Sequence, residues 1–305
     1  MTGQMPEWIA VDWGTTHLRA WMLGPARAEP AALSSADGMG RLAPDEFEHA
    51  LLRLLDPYLA AGRVVQVVAC GMVGARQGWF EAPYAAVPCP PPGIRDAVLV
   101  PARDPRLAVR ILPGISQANP PDVMRGEETQ IAGLLADTPG FDGVICLPGT
   151  HTKWVHLRNG AIERFRTFMT GEIYDLLSRH SVLRHGMLRD AWDRNAYLEA
   201  IDDAMERPRL VSAELFSLRA ATLLHDMPPA VFRARLSGLL VGLELAGVLA
   251  LQAIDQVTLI GSEALSGPYA EALRSRGVRA ERLSGDAMTL AGLKAAWSGL
   301  SEKGT

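Results

Sequence analysis

The sequence predicts an α/β protein of two similar domains facing each other across a cleft. Two observations carry that prediction. A strand–turn–strand unit occurs twice, as WIAVDWGTTHLRAWML near the start and VICLPGTHTKWVHLRNG near the middle. In each copy an apolar run leads into a Gly-Thr turn, and an alternating or aromatic-rich run follows it. Gly14 and Gly149 anchor the two copies, so each half of the chain opens with one. The remainder alternates short apolar strands with helical segments, the pattern of helices layered on sheets.

The elements follow in order. Residues 44–61 (PDEFEHALLRLLDPYLAA) predict a helix, with Asp45 and Glu46 in its first turn. VVQVVAC (64–70) is a short buried strand, and GMVGARQGW (71–79) is a glycine-rich loop. AVRILPG (108–114) is a strand, Asn119 to Asp122 a loop, and 126–137 a helix opened by two acids. TPGFDG (138–143) marks the division between a domain of residues 1–138 and one of 139–305. Residues 171–188 and 191–227 are mostly helical, and 236–254 form a long apolar helix. A strand at 256–261, a helix at 268–277 ended by Gly277, a strand in VRAERLSG and a helix through DAMTLAGLKAAW complete the chain.

Composition narrows the function. The 305 residues are 48% hydrophobic and 21% charged with a net charge of −4, a soluble globular balance. No basic stripe exists, which argues against nucleic acid as a partner. Cys70, Cys89 and Cys146 show no CxxC spacing and suit a reducing cytoplasm rather than zinc or disulfides. The N-terminal stretch has neither a basic nor an apolar leader region, so no secretory signal is expected. Leu236 to Ile254 approaches membrane-span length and carries Gly238 and Gly242 as a GxxxG. Glu244 in its middle and Gln252 near its end point to a helix buried between layers, with no membrane as partner.

Four motifs carry chemistry. Asp12-Trp-Gly-Thr-Thr16 offers a backbone approach at Gly14, hydroxyls at Thr15 and Thr16, and at Asp12 a carboxylate of the kind that holds Mg²⁺. Pro148-Gly-Thr-His-Thr-Lys153 offers Gly149, the hydroxyls of Thr150 and Thr152, and the Lys153 cation. His151 reads as a structural loop residue or as a base. Leu147 stands where the first copy has Asp12, so the metal-type carboxylate belongs to the first loop alone. Glu127 and Glu128, after Arg125 and Gly126, open a helix where a carboxylate can accept a hydroxyl proton. Gly261 and Ser262, in LIGSEA, end a strand on which a flat ring could lie. Gly38-Met-Gly-Arg-Leu-Ala43 matches GxGxxA but follows no buried strand, and neither GxxxxGK[ST], GxSxG nor HExxH occurs.

Together the segments IAVDWGTTHLRAW, ACGMVGARQGW, DVMRGEETQ, CLPGTHTKW, FMTGE and LIGSEALSGPY resemble the 2-dehydro-3-deoxygalactonokinase family, within the actin-like (ribonuclease H-like) sugar kinases. The resemblance implies two actin-like domains about a nucleotide cleft, ATP and Mg²⁺, and phosphorylation of a 2-keto-3-deoxy sugar acid. It implies a first phosphate loop of Asp12, Gly14, Thr15 and Thr16, with Asp12 toward the metal. It implies a second of Gly149, Thr150, His151, Thr152 and Lys153, and adenosine contacts at Gly261 and Ser262. Gly71, Met72, Arg76, Trp79, Arg125 and Glu172 fall on the sugar-acid side, with Arg76 and Arg125 as carboxylate partners and Trp79 as a stacking surface. Related kinases use an aspartate base where this chain has Glu127 and Glu128, and Glu127 is the favoured base. A homodimer is allowed. A kinase for another sugar, an exopolyphosphatase-like phosphohydrolase and a non-catalytic sensing module are the alternatives.

Overall fold

The computed structural model describes residues 6–24, 31–187 and 192–299, so residues 188 and 191 of the two expected helical stretches lie outside the described residues. The chain packs as two units. One comprises Met1–Asp142, His156–Phe165 and Gly285–Thr305, the other Gly143–Val155 and Arg166–Ser284. The division expected at residues 138 and 139 assigns the last helix to the second unit, whereas that helix packs with the first.

The first unit begins with β1 (Trp8–Trp13), β2 (Leu18–Leu23), β3 (Ala31–Ser35), α1 (Phe47–Leu55) and β4 (Val65–Gly71). There follow β5 (Tyr84–Ala86), β6 (Val98–Leu99), β7 (Leu107–Ile111), β8 (Gly114–Gln117), β9 (Asp122–Met124) and α2 (Glu127–Asp137). Its main sheet has the order β3-β2-β1-β4-β7-β6, and β5-β8-β9 form a small second sheet. β1 and β2 make an antiparallel hairpin, while β4 runs parallel to both β1 and β7. Proline explains two departures from the expected elements. α1 stops at Leu55 and gives way to a single 3₁₀ turn at Asp56–Tyr58, because Pro57 has no N–H to extend the helix. The strand expected over 108–114 ends at Ile111, Pro113 interrupts it, and Gly114 begins β8 in the other sheet.

Next come β10 (Gly143–Leu147), β11 (Thr152–Arg158) and β12 (Ala161–Phe168), the end of β11 and most of β12 being the His156–Phe165 stretch of the first unit. Then, in the second unit, come α3 (Thr170–His180), α4 (Arg194–Glu206) and α5 (Val211–His225). α6 (Pro229–Leu251), β13 (Gln256–Gly261), α7 (Glu263–Ser275) and β14 (Arg279–Ser284) complete it. α7 begins before Pro268, which it carries inside, rather than at it as expected. The chain then returns to the first unit as α8 (Gly285–Ser298). The sheet order is β12-β11-β10-β13-β14, with β13 parallel to β10 and β14. Both sheets therefore place their first three strands in reverse order and then add two parallel strands beside the first, β4 and β7 in one and β13 and β14 in the other. The repeated strand–turn–strand unit in the sequence is a repeat of topology.

Strand alternation sorts the first sheet's two faces. Val11 and Trp13 point to one side with Phe47 and Leu51 of α1. Ala10 and Cys70 point to the other, against Leu293 and Ala296 of α8, and Trp8 stacks on Trp297 with centroids 4.8 Å apart. Asp12 shares this α8 face. Beneath it α2 and α8 meet through Gly133 and Gly292, where any Cβ would overlap backbone of the opposite helix. In the second unit α6 is long and apolar enough to cross a membrane by length and composition, but it is packed against α4. Gly238 lies on the Tyr197 carbonyl and Gly242 on the backbone of Ile201, the close approach that the GxxxG spacing allows.

Candidate active site

In the first unit the hairpin register sets Asp12 opposite Arg19. Arg19 donates through Nη2 to Asp12 and through Nη1 to Asp286, in the first turn of α8. Burial pushes the Asp12 carboxyl up from its ordinary value, and the Arg19 guanidinium partly opposes that rise. The Cys70 thiol lies 3.9 Å from the same carboxylate, its own pKa driven well up by burial and then by the Asp12 charge. The following turn is braced by residues 38–40: Met39 N–H donates to Gly14 O at 3.0 Å and Gly40 N–H to Thr15 O at 2.9 Å. Thr15 and Thr16 are left exposed. The GxGxxA match thus begins with a brace for the first loop.

Gly71 and Gly126 join the strand and helix that flank Asp12. Gly71 has φ +91° and leaves no room for a side chain, since a Cβ would stand 2.7 Å from Trp13 O and 3.3 Å from Asp12 Oδ1. Gly126 has φ +109°, and a Cβ there would stand 3.4 Å from the Gly71 Cα. α2 starts at this contact and presents two different glutamates. Glu128 is buried, and both of its oxygens accept from Gly126 N–H at 2.8 and 2.7 Å. Burial, then the Glu127 charge, raises its pKa to about 7. Glu127 is half-buried and accepts from Arg125 N–H at 3.0 Å.

In the second unit the Gly149–His151 turn leans on the start of α3. Glu172 N–H donates to Thr150 O at 2.9 Å, and His151 Nε2 lies 2.5 Å from a Glu172 carboxylate oxygen. Gly171 admits no Cβ because the Gly149 carbonyl occupies that space. Gly261, ending β13, is in ordinary contact distance of Pro148, and Ser262 is exposed beside it. The predicted residues Gly149, Thr150, His151, Gly261 and Ser262 therefore gather at one end of the sheet, with Glu172.

Other expected residues are turned away. Thr152 is fully buried with its hydroxyl 3.1 Å from Tyr269 OH, and Lys153 is buried with Nζ donating to His151 O at 3.3 Å. Both are the first residues of β11, and packing on the two faces of that strand buries them rather than leaving them on the surface of the turn. Arg125 is buried: Nη2 donates to Ala82 O at 2.8 Å, and the guanidinium lies 4.3 Å from the Tyr84 ring centroid. Trp79 packs edge-on against Trp13, on the sheet face opposite Asp12. There it lines a cavity of about 570 Å³ with Asp45, Glu48, His49 and Arg103. Arg76 is exposed on the 71–79 loop, 3.5 Å from Glu81, and Met72 opens the same loop half-buried.

Among the described residues no three His, Cys, Asp or Glu side chains gather as a metal-ligand cluster. Asp12, with Asp286 across Arg19, is a sparse hard-oxygen set. It suits a cation that keeps water and takes further ligands from phosphates.

Comparison with known proteins adds a family. Residues 12–296 match the family described as 2-keto-3-deoxy-galactonokinase. The chain is 42% identical over 95% of its length to the Rhizobium meliloti protein named Probable 2-dehydro-3-deoxygalactonokinase DgoK1, covering 96% of that protein. It is 32% identical over 94% of its length to the Escherichia coli 2-dehydro-3-deoxygalactonokinase, covering 96% of it. A crystal structure described as a candidate 2-dehydro-3-deoxygalactonokinase from Sinorhizobium meliloti superposes with a TM-score of 0.89 at 40% identity. The match covers 96% of this chain and 99% of that one.

Proposed function

Because the chain belongs to the 2-keto-3-deoxy-galactonokinase family, we propose that it transfers the γ-phosphoryl group of ATP to a hydroxyl of 2-dehydro-3-deoxy-galactonate, giving the 6-phosphate and ADP. The observation that supports the reaction is the Gly71–Gly126 contact, which sets the start of α2, with Glu127, close to the strand end beside the metal-type carboxylate of Asp12. Glu128 is buried with both oxygens on the backbone of Gly126, whereas Glu127 is half-buried and within reach of a ligand, which favours Glu127 as the proton acceptor. As the substrate oxygen bonds to phosphorus, Glu127 takes its proton, and the bond from phosphorus to the β,γ-bridging oxygen breaks to release ADP. Asp12 would hold Mg²⁺, which neutralises phosphate charge when bound. The exposed Gly149–His151 turn supplies N–H and hydroxyl donors to nucleotide phosphates, and Gly261 with Ser262 receives the adenosine. Arg76, exposed beside Glu81, is a cation that a substrate carboxylate can reach. Three free thiols fit a cytoplasmic enzyme.

A coupled ADP-release assay over a panel of keto-deoxy sugar acids, neutral sugars and polyphosphate tests this. ADP formation dependent on 2-dehydro-3-deoxy-galactonate is expected. Turnover only with a neutral sugar, or phosphate release from polyphosphate without any sugar, would replace the substrate assignment.

A further inference from the structure

Glu244 lies in the middle of α6, 2% exposed, inside the apolar run that resembles a membrane span. Three side chains from three elements converge on it. Trp154 Nε1 of β11 donates to Oε1 at 2.7 Å, Tyr269 OH of α7 donates to Oε2 at 2.8 Å, and Thr170 Oγ1 of α3 donates to Oε2. With its proton committed to Glu244, Tyr269 OH accepts from Thr152 Oγ1 at 3.1 Å. The hydroxyls therefore run in one direction, Thr152 to Tyr269 to Glu244. Trp154, Thr170 and Tyr269 all donate, and only the ionised carboxylate accepts all three, because a proton on Oε2 would turn one of the two hydroxyl bonds around.

The two ends of this network are the residues that flank the second loop. Thr152 directly follows Gly149–His151, and Thr170 opens α3, whose Gly171 and Glu172 cradle Gly149 and Thr150. One buried carboxylate thus ties down both the strand leaving the turn and the helix beneath it. A hydrophobic side chain would fill the same core position between α4, α6 and α7 without such ties.

We propose that Glu244 is a positioning residue for nucleotide binding, fixing the Gly149–His151 turn through Thr152 and Thr170. It touches no substrate. This inference rests on the reading of that turn as a phosphate loop. The ionised form does the positioning, and burial raises the carboxyl to about 7, so the effect is pH-dependent. The titratable groups facing it are Tyr269 from α7, Cys146 from β10 and Tyr197 from α4, all with pKa values pushed up. Glu244 is therefore the one among them that changes charge between pH 5.5 and 8.

The test is ADP binding by calorimetry to the full-length wild type, Glu244→Gln and Tyr269→Phe, from pH 5.5 to 8. Gln keeps an acceptor for Trp154 but mimics the protonated state. At pH 8 we expect ADP Kd to rise about tenfold in Glu244→Gln and about threefold in Tyr269→Phe, with KM for the sugar acid unchanged. The wild-type and Gln values should converge toward pH 5.5, which a purely structural role would not produce. Folded variants that bind ADP like wild type at every pH overturn the inference alone. So does an unfolded Glu244→Gln accompanied by wild-type affinity in Tyr269→Phe. A wild type that binds no ADP overturns the phosphate-loop reading and this inference with it.

Discussion

Asp12 and Arg19 stand opposite each other across the β1–β2 hairpin, and the guanidinium holds the carboxylate while its other nitrogen holds Asp286. Asp12 is the half of this pair that burial pushes toward protonation, and Arg19 is what opposes it. Arg19→Met removes the opposition, so the Asp12 pKa rises further. The acidic limb of the kcat/KM profile should move to higher pH in that variant. Asp12→Asn should lower kcat by about 10²-fold or more at every pH, because a fixed negative group is gone rather than neutralised. An unshifted acidic limb in Arg19→Met would separate Asp12 from the reaction.

Glu127 and Glu128 are adjacent yet should fail differently. Glu127→Gln is expected to lose about 10²- to 10⁴-fold in kcat with Tm unchanged. Glu128 is buried, and its pKa is raised from 4.5 to about 7. The folded state therefore binds that proton more tightly than the unfolded chain. Its contribution to stability is complete below pH 4.5 and is lost as pH rises through about 7. Glu128→Gln should flatten the fall in urea-unfolding stability between pH 5 and 8 by about 3 kcal/mol. Glu244, raised to the same range, contributes to the slope that remains.

Gly133 and Gly292 are the points at which α2 and α8 touch. Alanine at either should cost about 1–3 kcal/mol by overpacking and lower Tm by several degrees. Gly93→Ala, at a position with open space and an ordinary backbone, is the control and should leave Tm alone. Since α2 carries Glu127, the two close-packing variants should also lower kcat.

The site was legible where local pattern and local structure coincide. The Asp12 turn, the Gly149 turn, the Glu127–Glu128 helix start and Gly261 all lie where the sequence puts them, because a glycine at a strand end marks itself. Arg19 was readable too: a tight hairpin after Asp12 fixes its cross-strand partner by register. Asp286 was not, since it reaches that pair from the far end of the chain. Thr152 and Lys153 look like ligands because they share a motif with Gly149, yet a strand begins at Thr152 and packing takes both side chains inward. Glu244 gave one signal, a carboxylate in an apolar helix. That signal argued against a membrane span, but its partners come from three elements that no local pattern connects.

Arg76 and Arg125 divide the role that the family resemblance offered to both. A carboxylate on the substrate needs a guanidinium it can reach. Arg125 cannot serve, because its Nε and Nη1 are enclosed without hydrogen-bond partners while Nη2 is spent on Ala82 O. Its face is covered by Tyr84. It is a buried cation beside the Gly71–Gly126 contact, and its removal should be felt as lost stability. Arg76 is exposed on the loop that follows β4, in a loose pair with Glu81. Arg76→Gln should raise KM for the sugar acid about tenfold, the worth of one charge-assisted hydrogen bond, and leave ADP affinity unchanged. Arg125→Gln should instead lower Tm, with KM following only as far as folding does. Initial rates across sugar-acid concentrations, set beside thermal melts of both variants, decide it. A raised KM in a fully stable Arg125→Gln would move the carboxylate site from the loop to the helix start.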